Sequence, residues 1–130
     1  MDCKGHKAWL SIGSNHTGAD IFLAKAADML QAHLSGWKMC EPYHTPALNG
    51  KEPDYMNAVA CGYWTGDSGS LNLLCKEIEN TLGRTHSSDA DSHIVEIDID
   101  LVCFDEEVLR PVDFLREYFS LGFNRLKEDS

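Results

Sequence analysis

In the stretch Glu96-Ile97-Asp98-Ile99-Asp100 an acid takes every second position and an isoleucine fills each gap. Side chains of a β-strand alternate between its two faces. As a strand, this segment puts Val95, Ile97, Ile99, Leu101 and Cys103 on one face and Glu96, Asp98 and Asp100 on the other. Asp98 and Asp100 then stand about 7 Å apart, the rise of two strand residues. Two carboxylates at that spacing suit Mg²⁺, which takes one or two carboxylates, several waters and oxygens from a substrate's phosphates. The alternation equally suits an antiparallel sheet with one wet face, where the acids only meet solvent. The pattern by itself leaves both readings open.

Tyr55 and Asn57 share another candidate strand face. A phenol ring is a stacking surface and a carboxamide donates and accepts at once, so together they could grip a flat heterocycle with an amide-like edge. A half-buried tyrosine and an asparagine bonded to nearby backbone would look the same. Gly13-Ser14-Asn15 sits between a strand and a helix, where its amides either approach an anion or simply turn the chain. It lacks the full glycine fingerprint of a phosphate loop. Arg84 follows a helix end, where a cation complements the dipole, and opens the segment leading to the acidic strand. The six histidines are scattered, without HExxH or a close pair, which argues against zinc. No nucleophile-elbow spacing marks a Ser-His-Asp hydrolase.

The elements that must position these residues follow from periodicity. "KAWLSI" alternates, with Ala8, Leu10 and Ile12 on one face, and ends in the turn at Gly13. Leu23, Ala27, Leu30 and Leu34 fall at helical spacing, with Thr17 and Asp20 spaced as a capping box and Gly36 as a stop. "WKMCEPYHT" is a second strand, irregular at Pro42 and therefore at an edge. "TPALNGKEP" has loop composition. "DYMNAVACGYW" is a third strand with Tyr55, Asn57, Val59 and Cys61 on one face. "TGDSGS" supplies a turn and a cap, and Leu71, Leu74, Ile78 and Leu82 mark a second helix with Gly83 just past its end. The polar "THSSDADSH" leads to the acidic strand, and "DFLREYFSLGFNRL" forms a terminal helix capped by Asp113 with Gly122 inside it. The order β-α-β-β-α-β plus a tail predicts an α+β chain. It is a ferredoxin-like antiparallel sheet with helices on one face and a short C-terminal helical tail, one domain over residues 1–130. Such a fold names no function.

Composition narrows the partners. Acids outnumber bases 21 to 11 for a formal charge of −10, so no basic stripe exists to displace counterions from nucleic acid. A small anionic ligand remains possible where positive charge or a metal is local. The five cysteines (Cys3, Cys40, Cys61, Cys75 and Cys103) are odd in number and lack a CxxC pair. Four of them fall within apolar-patterned segments and read as buried thiols, in a reducing, cytoplasmic setting. No apolar run reaches membrane-spanning length, and the N-terminus has no signal core. Oligomeric state is not legible.

The order of these signals carries a further message. "LSIGSN", "YHTPALNG", "PDYMNAVA", "IENTLGR" and "IDIDLV" occur in succession, and over roughly residues 8 to 104 the chain resembles 6-hydroxymethyl-7,8-dihydropterin pyrophosphokinase of folate biosynthesis. The Asn-Ala-Val and Ile-Asp-Ile-Asp stretches are the most specific parts. The resemblance implies transfer of the terminal two phosphates of ATP to the pterin hydroxymethyl group, with release of AMP. It implies that Asp98 and Asp100 hold two magnesium ions between ATP and the pterin hydroxyl. By the same match Tyr55 packs by the pterin and Asn57 reads its edge. Thr45, Pro46, Ala47 and Leu48 line that pocket, Arg84 faces phosphate, and Glu79 supports the site.

The chain also departs from the family pattern. The interval between the Gly-Arg and Asp-x-Asp elements normally carries several basic residues, including an Arg-Trp-Gly-Pro-Arg-like run. Here it is "THSSDADSHIVE", with no Lys or Arg and three acids. The family's Pro-His element has no counterpart near Pro111, and Arg116 and Tyr118 stand as loose matches for its arginine and second stacking aromatic. Three readings follow. They are an active pyrophosphokinase weakened by the lost cations, a non-catalytic relative that binds pterin or nucleotide, and a ferredoxin-like interaction module without a small ligand.

Overall fold

The computed structural model describes residues 5–45, 54–83 and 96–128. Its elements in chain order are β1 (His6–Ser14), α1 (Ala19–Gln31), β2 (Ser35–Met39), β3 (Tyr43–Thr45), β4 (Tyr55–Trp64) and α2 (Ser68–Thr81), then β5 (Asp98–Phe104), β6 (Glu107–Val108), α3 (Pro111–Leu115) and α4 (Glu117–Glu128). The strands form one antiparallel sheet in the order β2-β4-β1-β5-β6, with β3 also on β4. This is the α+β, ferredoxin-like order expected from the sequence, with the C-terminal helices added.

The two faces of the sheet are built differently. Leu10, Ile12, Ala58, Ala60, Ile99 and Leu101 point to the side of α1 and α2, where Leu23, Leu30, Leu71 and Ile78 complete an aliphatic core. Each such side chain contributes about 1.5–3 kcal/mol on burial. The opposite face carries Trp9, Ser11, Gly13, Asn57 and Val59, and α4 covers only part of it. Trp9 meets Phe123 edge-on at 4.5 Å, and Phe114 and Phe119 pack around Phe123 at 5.1 and 5.3 Å. At Gly122 the helix lies so close to β4 that a Cβ would stand 2.7 Å from Val59 Cγ2 and 2.9 Å from Cys40 Sγ. A glycine inside a helix costs about 1 kcal/mol in propensity. Here it permits the contact.

Several local expectations are revised. The second strand divides into β2 and β3 around Glu41-Pro42, because proline has no N–H for the ladder. α1 has Gly18 as its N-cap and no side-chain cap, so the Thr17–Asp20 capping box does not form. His16 serves instead, its Nδ1 accepting from Gly18 N–H at 2.9 Å and its carbonyl from Ala19 N–H at 3.0 Å. Gly36 does not stop α1, which ends at Gln31; its φ of +62° belongs to an irregularity of β2 beneath the Tyr63 ring. Asp67 does cap α2, accepting from Ser70 N–H at 2.8 Å, and Gly83 follows that helix with φ +99°. Cys103 leaves the face of Ile99 and Leu101, because a bulge at Val102 puts it opposite Trp9. The terminal helix is two helices joined by extended backbone at Arg116, and Asp113 is not its cap.

A short hairpin ends β5. Asp105, at φ 57°, turns the chain, and its carboxylate accepts from Lys7 N–H at 3.2 Å and lies 2.7 Å from His6 Nδ1. The returning strand donates Leu109 N–H and Arg110 N–H to Val102 O at 2.8 and 3.3 Å. Cys40, Cys61, Cys75 and Cys103 are buried free thiols. No helix among the described residues is long and apolar enough to cross a membrane.

Candidate functional site

Beside α4 on the second face a row of residues runs across four strands. Register puts Asp98 of β5 opposite Gly13 of β1, Gly13 opposite Asn57 of β4, and Asn57 opposite Tyr43 of β3. In flanking pairs Asp100 lies opposite Ser11 and Tyr55 opposite Thr45. The acids and the Tyr-Asn pair therefore share one face, with only a glycine between them. That glycine is required. A Cβ on Gly13 would sit 2.9 Å from Asn57 Oδ1 and 3.6 Å from the Tyr55 ring. Asn57 is buried and donates through Nδ2 to Thr45 Oγ1 at 2.5 Å, which fixes its carboxamide over β1.

The acids are held from beneath. Glu79, on the sheet-facing side of α2 and 3% exposed, accepts the Ile99 N–H at 2.7 Å. That amide lies between the two aspartates, so Glu79 anchors the backbone carrying both. Lys76, one helical turn away, is 3.4 Å from its other oxygen. Burial, followed by the Asp98 charge, pushes the Asp100 carboxyl up to about 7. Nearby Arg110, with Nη1 3.9 Å from Asp100 Oδ1, pulls the other way. Arg110 is itself braced: its Nε donates to Asp113, and the Tyr118 hydroxyl donates to the other oxygen of that carboxylate. The Tyr43 hydroxyl bridges the α4 backbone, donating to Tyr118 O at 2.6 Å and accepting from Gly122 N–H at 3.1 Å. Beside these groups a cleft of about 540 Å³ opens between α2 and the β5–β6 hairpin, lined by Asn72, Leu73, Lys76, Asp100, Leu101, Leu109 and Arg110.

The family model for 7,8-dihydro-6-hydroxymethylpterin-pyrophosphokinase matches residues 9–126, from β1 to the last turn of α4. The chain belongs to this family. It is a pterin pyrophosphokinase family of folate biosynthesis, and its members work with ATP and Mg²⁺. A comparison with curated proteins finds no match.

Seen as a pyrophosphokinase, the chain brings most of its candidate residues to one place. Thr45, Tyr55, Asn57, Asp98 and Asp100 share one face of the sheet, with Glu79 behind it. Tyr118 stands at the rim, its hydroxyl engaged by Asp113. Arg116 is exposed at the α3–α4 junction, where its carbonyl starts α4 by accepting from Phe119 and Ser120 N–H. Pro46, Ala47, Leu48 and Arg84 lie outside the described residues. Arg110 was singled out by no motif, while Gly13, read as turn chemistry, lies against Asn57 and Asp113, read as a helix cap, holds Arg110. The signal for Arg110 was the turn at Asp105: a short hairpin there folds the chain back along β5.

The acid pair fits magnesium. No group of three or more His, Cys, Asp or Glu side chains among the described residues is arranged for an ion, and Asp98 and Asp100 are two carboxylates on one strand face. One or two carboxylates, completed by water and phosphate oxygens, is the habit of Mg²⁺. Burial and then the neighbouring Asp98 charge raise the Asp100 carboxyl, and a cation beside the pair offsets both.

Proposed function

We propose that this chain transfers diphosphate from ATP to the hydroxymethyl oxygen of 6-hydroxymethyl-7,8-dihydropterin and releases AMP, with two magnesium ions held by Asp98 and Asp100. The hydroxymethyl oxygen bonds to the β-phosphorus, the bond from that phosphorus to the bridging oxygen of AMP breaks, and the hydroxyl proton is lost. The observation that carries the reading is the row Asp98–Gly13–Asn57, which sets a candidate cation pair and a candidate heterocycle wall side by side on one face.

Asn57 reads the pterin edge, its Nδ2 tied to Thr45 and its oxygen turned over Gly13, while Tyr55 packs against the ring. The family match assigns Pro46, Ala47 and Leu48 to the pterin and Arg84 to the nucleotide, all four outside the described residues; Arg116 faces the nucleotide and Tyr118 borders the substrates. ATP lies along the cleft between α2 and the hairpin, whose lining reaches Asp100 and so brings the triphosphate to the acids. Glu79 keeps the two carboxylates aimed by holding Ile99 N–H. Magnesium at this pair supplies charge neutralisation, polarisation of the phosphate under attack and easier ionisation of the hydroxyl. The remainder of the acceleration comes from holding two substrates in line.

The test is AMP release from ATP and Mg²⁺ with and without the pterin, for the wild type beside Asp98→Asn. Pterin-dependent AMP that vanishes in the variant is the expected result. No AMP from folded wild-type protein would overturn catalysis on this substrate. The basic-residue-free segment 85–96 favours a binding relative in that event, and calorimetry with pterin and with a magnesium–nucleotide separates it from a bare scaffold.

A further inference from the structure

We propose that Arg110 is a phosphate-contacting residue for the nucleotide, aimed by Asp113 and Tyr118, and that it does the work of the cations missing from residues 85–96. The inference rests on the pyrophosphokinase reading and goes beyond it by assigning the charge that receives the triphosphate. A triphosphate beside Asp98 and Asp100 needs fixed positive charge, and the sequence between Arg84 and Asp98 contains no Lys or Arg. Among the described residues the cleft is lined by two cations, Lys76 and Arg110. Lys76 is a flexible ammonium and already leans on Glu79. Arg110 is mounted on structure at three points. Its N–H bonds Val102 O, Pro111 follows it as the first residue of α3, and its Nε is taken by Asp113.

The geometry leaves the rest of the guanidinium available. A guanidinium has five N–H donors in a fixed fork that matches phosphate oxygens. Asp113 takes Nε, and Nη1 stands 3.9 Å from Asp100, too long for a hydrogen bond. The side chain is 50% exposed, on the cleft side. Asp113 is in turn held by the Tyr118 hydroxyl, and Tyr118 by the Tyr43 hydroxyl on its carbonyl. Tyr118 therefore works through its oxygen as a positioning residue. Tyr43 sits opposite Asn57, so the brace begins on the strand that also lines the heterocycle wall.

The experiment is calorimetry of the full chain with Mg²⁺ and a non-hydrolysable α,β-methylene analogue of ATP, with AMP, and with the pterin, each titrated separately. Arg110→Ala should weaken the ATP analogue about ten- to a hundredfold, the worth of charge-assisted hydrogen bonds, and leave AMP and pterin binding within about twofold. Arg110→Lys should recover only part, because an ammonium cannot reproduce the fork. Tyr118→Phe should weaken the analogue in the wild type and add nothing to Arg110→Ala, a non-additivity that a merely structural role would not give. Equal binding of the analogue by wild type and Arg110→Ala would overturn the assignment while leaving the pyrophosphokinase reading intact. Equal losses for analogue, AMP and pterin would overturn it as well, since they mark a damaged fold. A wild type that binds the pterin but no magnesium–nucleotide would overturn both.

Discussion

Asp100→Asn should make the metal-free protein more stable while abolishing turnover. The carboxyl is held near 7 in the fold against an ordinary 3.8, chiefly by burial and then by Asp98. At about 1.4 kcal/mol for each pKa unit, ionising it in the folded protein costs up to about 4 kcal/mol above pH 7. The side chain is 20% exposed and Arg110 offsets part of the burden. Solvent screening and the lost attraction to Arg110 reduce the expected gain to about 1–3 kcal/mol. For a domain of this length that is a rise in Tm of roughly 3–10 °C.

The pH dependence fixes the sign. The unfolded chain gives up this proton near pH 4 and the folded chain near pH 7, so between those values the folded state holds more protons. Its contribution is fully present below about pH 4 and lost as pH rises through about 7. Thermal melts of wild type and Asp100→Asn, followed by circular dichroism in chelator, should therefore diverge between about pH 5 and about pH 8, with the variant ahead at the higher value. Adding Mg²⁺ should raise the wild type and leave the variant nearly unmoved, because binding to the folded state alone stabilises it. A variant less stable than wild type at high pH in chelator would refute the reasoning. So would a difference that stays constant across the pH range.

Other substitutions test the supports. Glu79→Ala removes the acceptor of Ile99 N–H and should cost about 1–3 kcal/mol in urea melts together with most of the turnover; Glu79→Gln, which keeps an acceptor, should restore the stability. Gly13→Ala sets a methyl 2.9 Å from Asn57 Oδ1, and calorimetry should show pterin affinity down about ten- to a hundredfold with nucleotide affinity unchanged. Gly122→Ala drives a methyl into Val59 and should destabilise by about 1–3 kcal/mol, with Val59→Ala in the same background recovering part of the loss.

What could be read from the sequence and what could not divides along physical lines. Period-two and period-3.6 patterns placed the central strands and both connecting helices, because burial writes those periods into the residue types. Asp98 and Asp100 were legible for the same reason, and so was Asp67 as a cap. The failures lie where a tertiary partner decides. Thr17 and Asp20 have the spacing of a capping box, but the turn after β1 presents His16 to the helix start. Asp113 has the residue type of a cap, yet Arg110 and Tyr118 claim its carboxylate. Cys103 changed faces through a bulge that no alternation announces. Gly13 looked like turn chemistry; its reason is a side chain on the neighbouring strand.

The position of the site follows from where α4 can begin. Gly122 lets the helix descend onto Val59 and Cys40, and Phe123 beside it packs edge-on against Trp9. Extended backbone at Arg116 separates α3 from α4. The Tyr43 hydroxyl fixes the first turn of α4 through Tyr118 O and Gly122 N–H. The row from Asp98 to Tyr43 is thus bounded by the helix start, and the side chains at that boundary are Tyr118 and, through Asp113, Arg110. A fold that covered the whole face would gain apolar burial and lose the place where acid pair, carboxamide and arginine converge. The two glycines mark two close approaches on one sheet face, helix against strand at Gly122 and carboxamide against strand at Gly13.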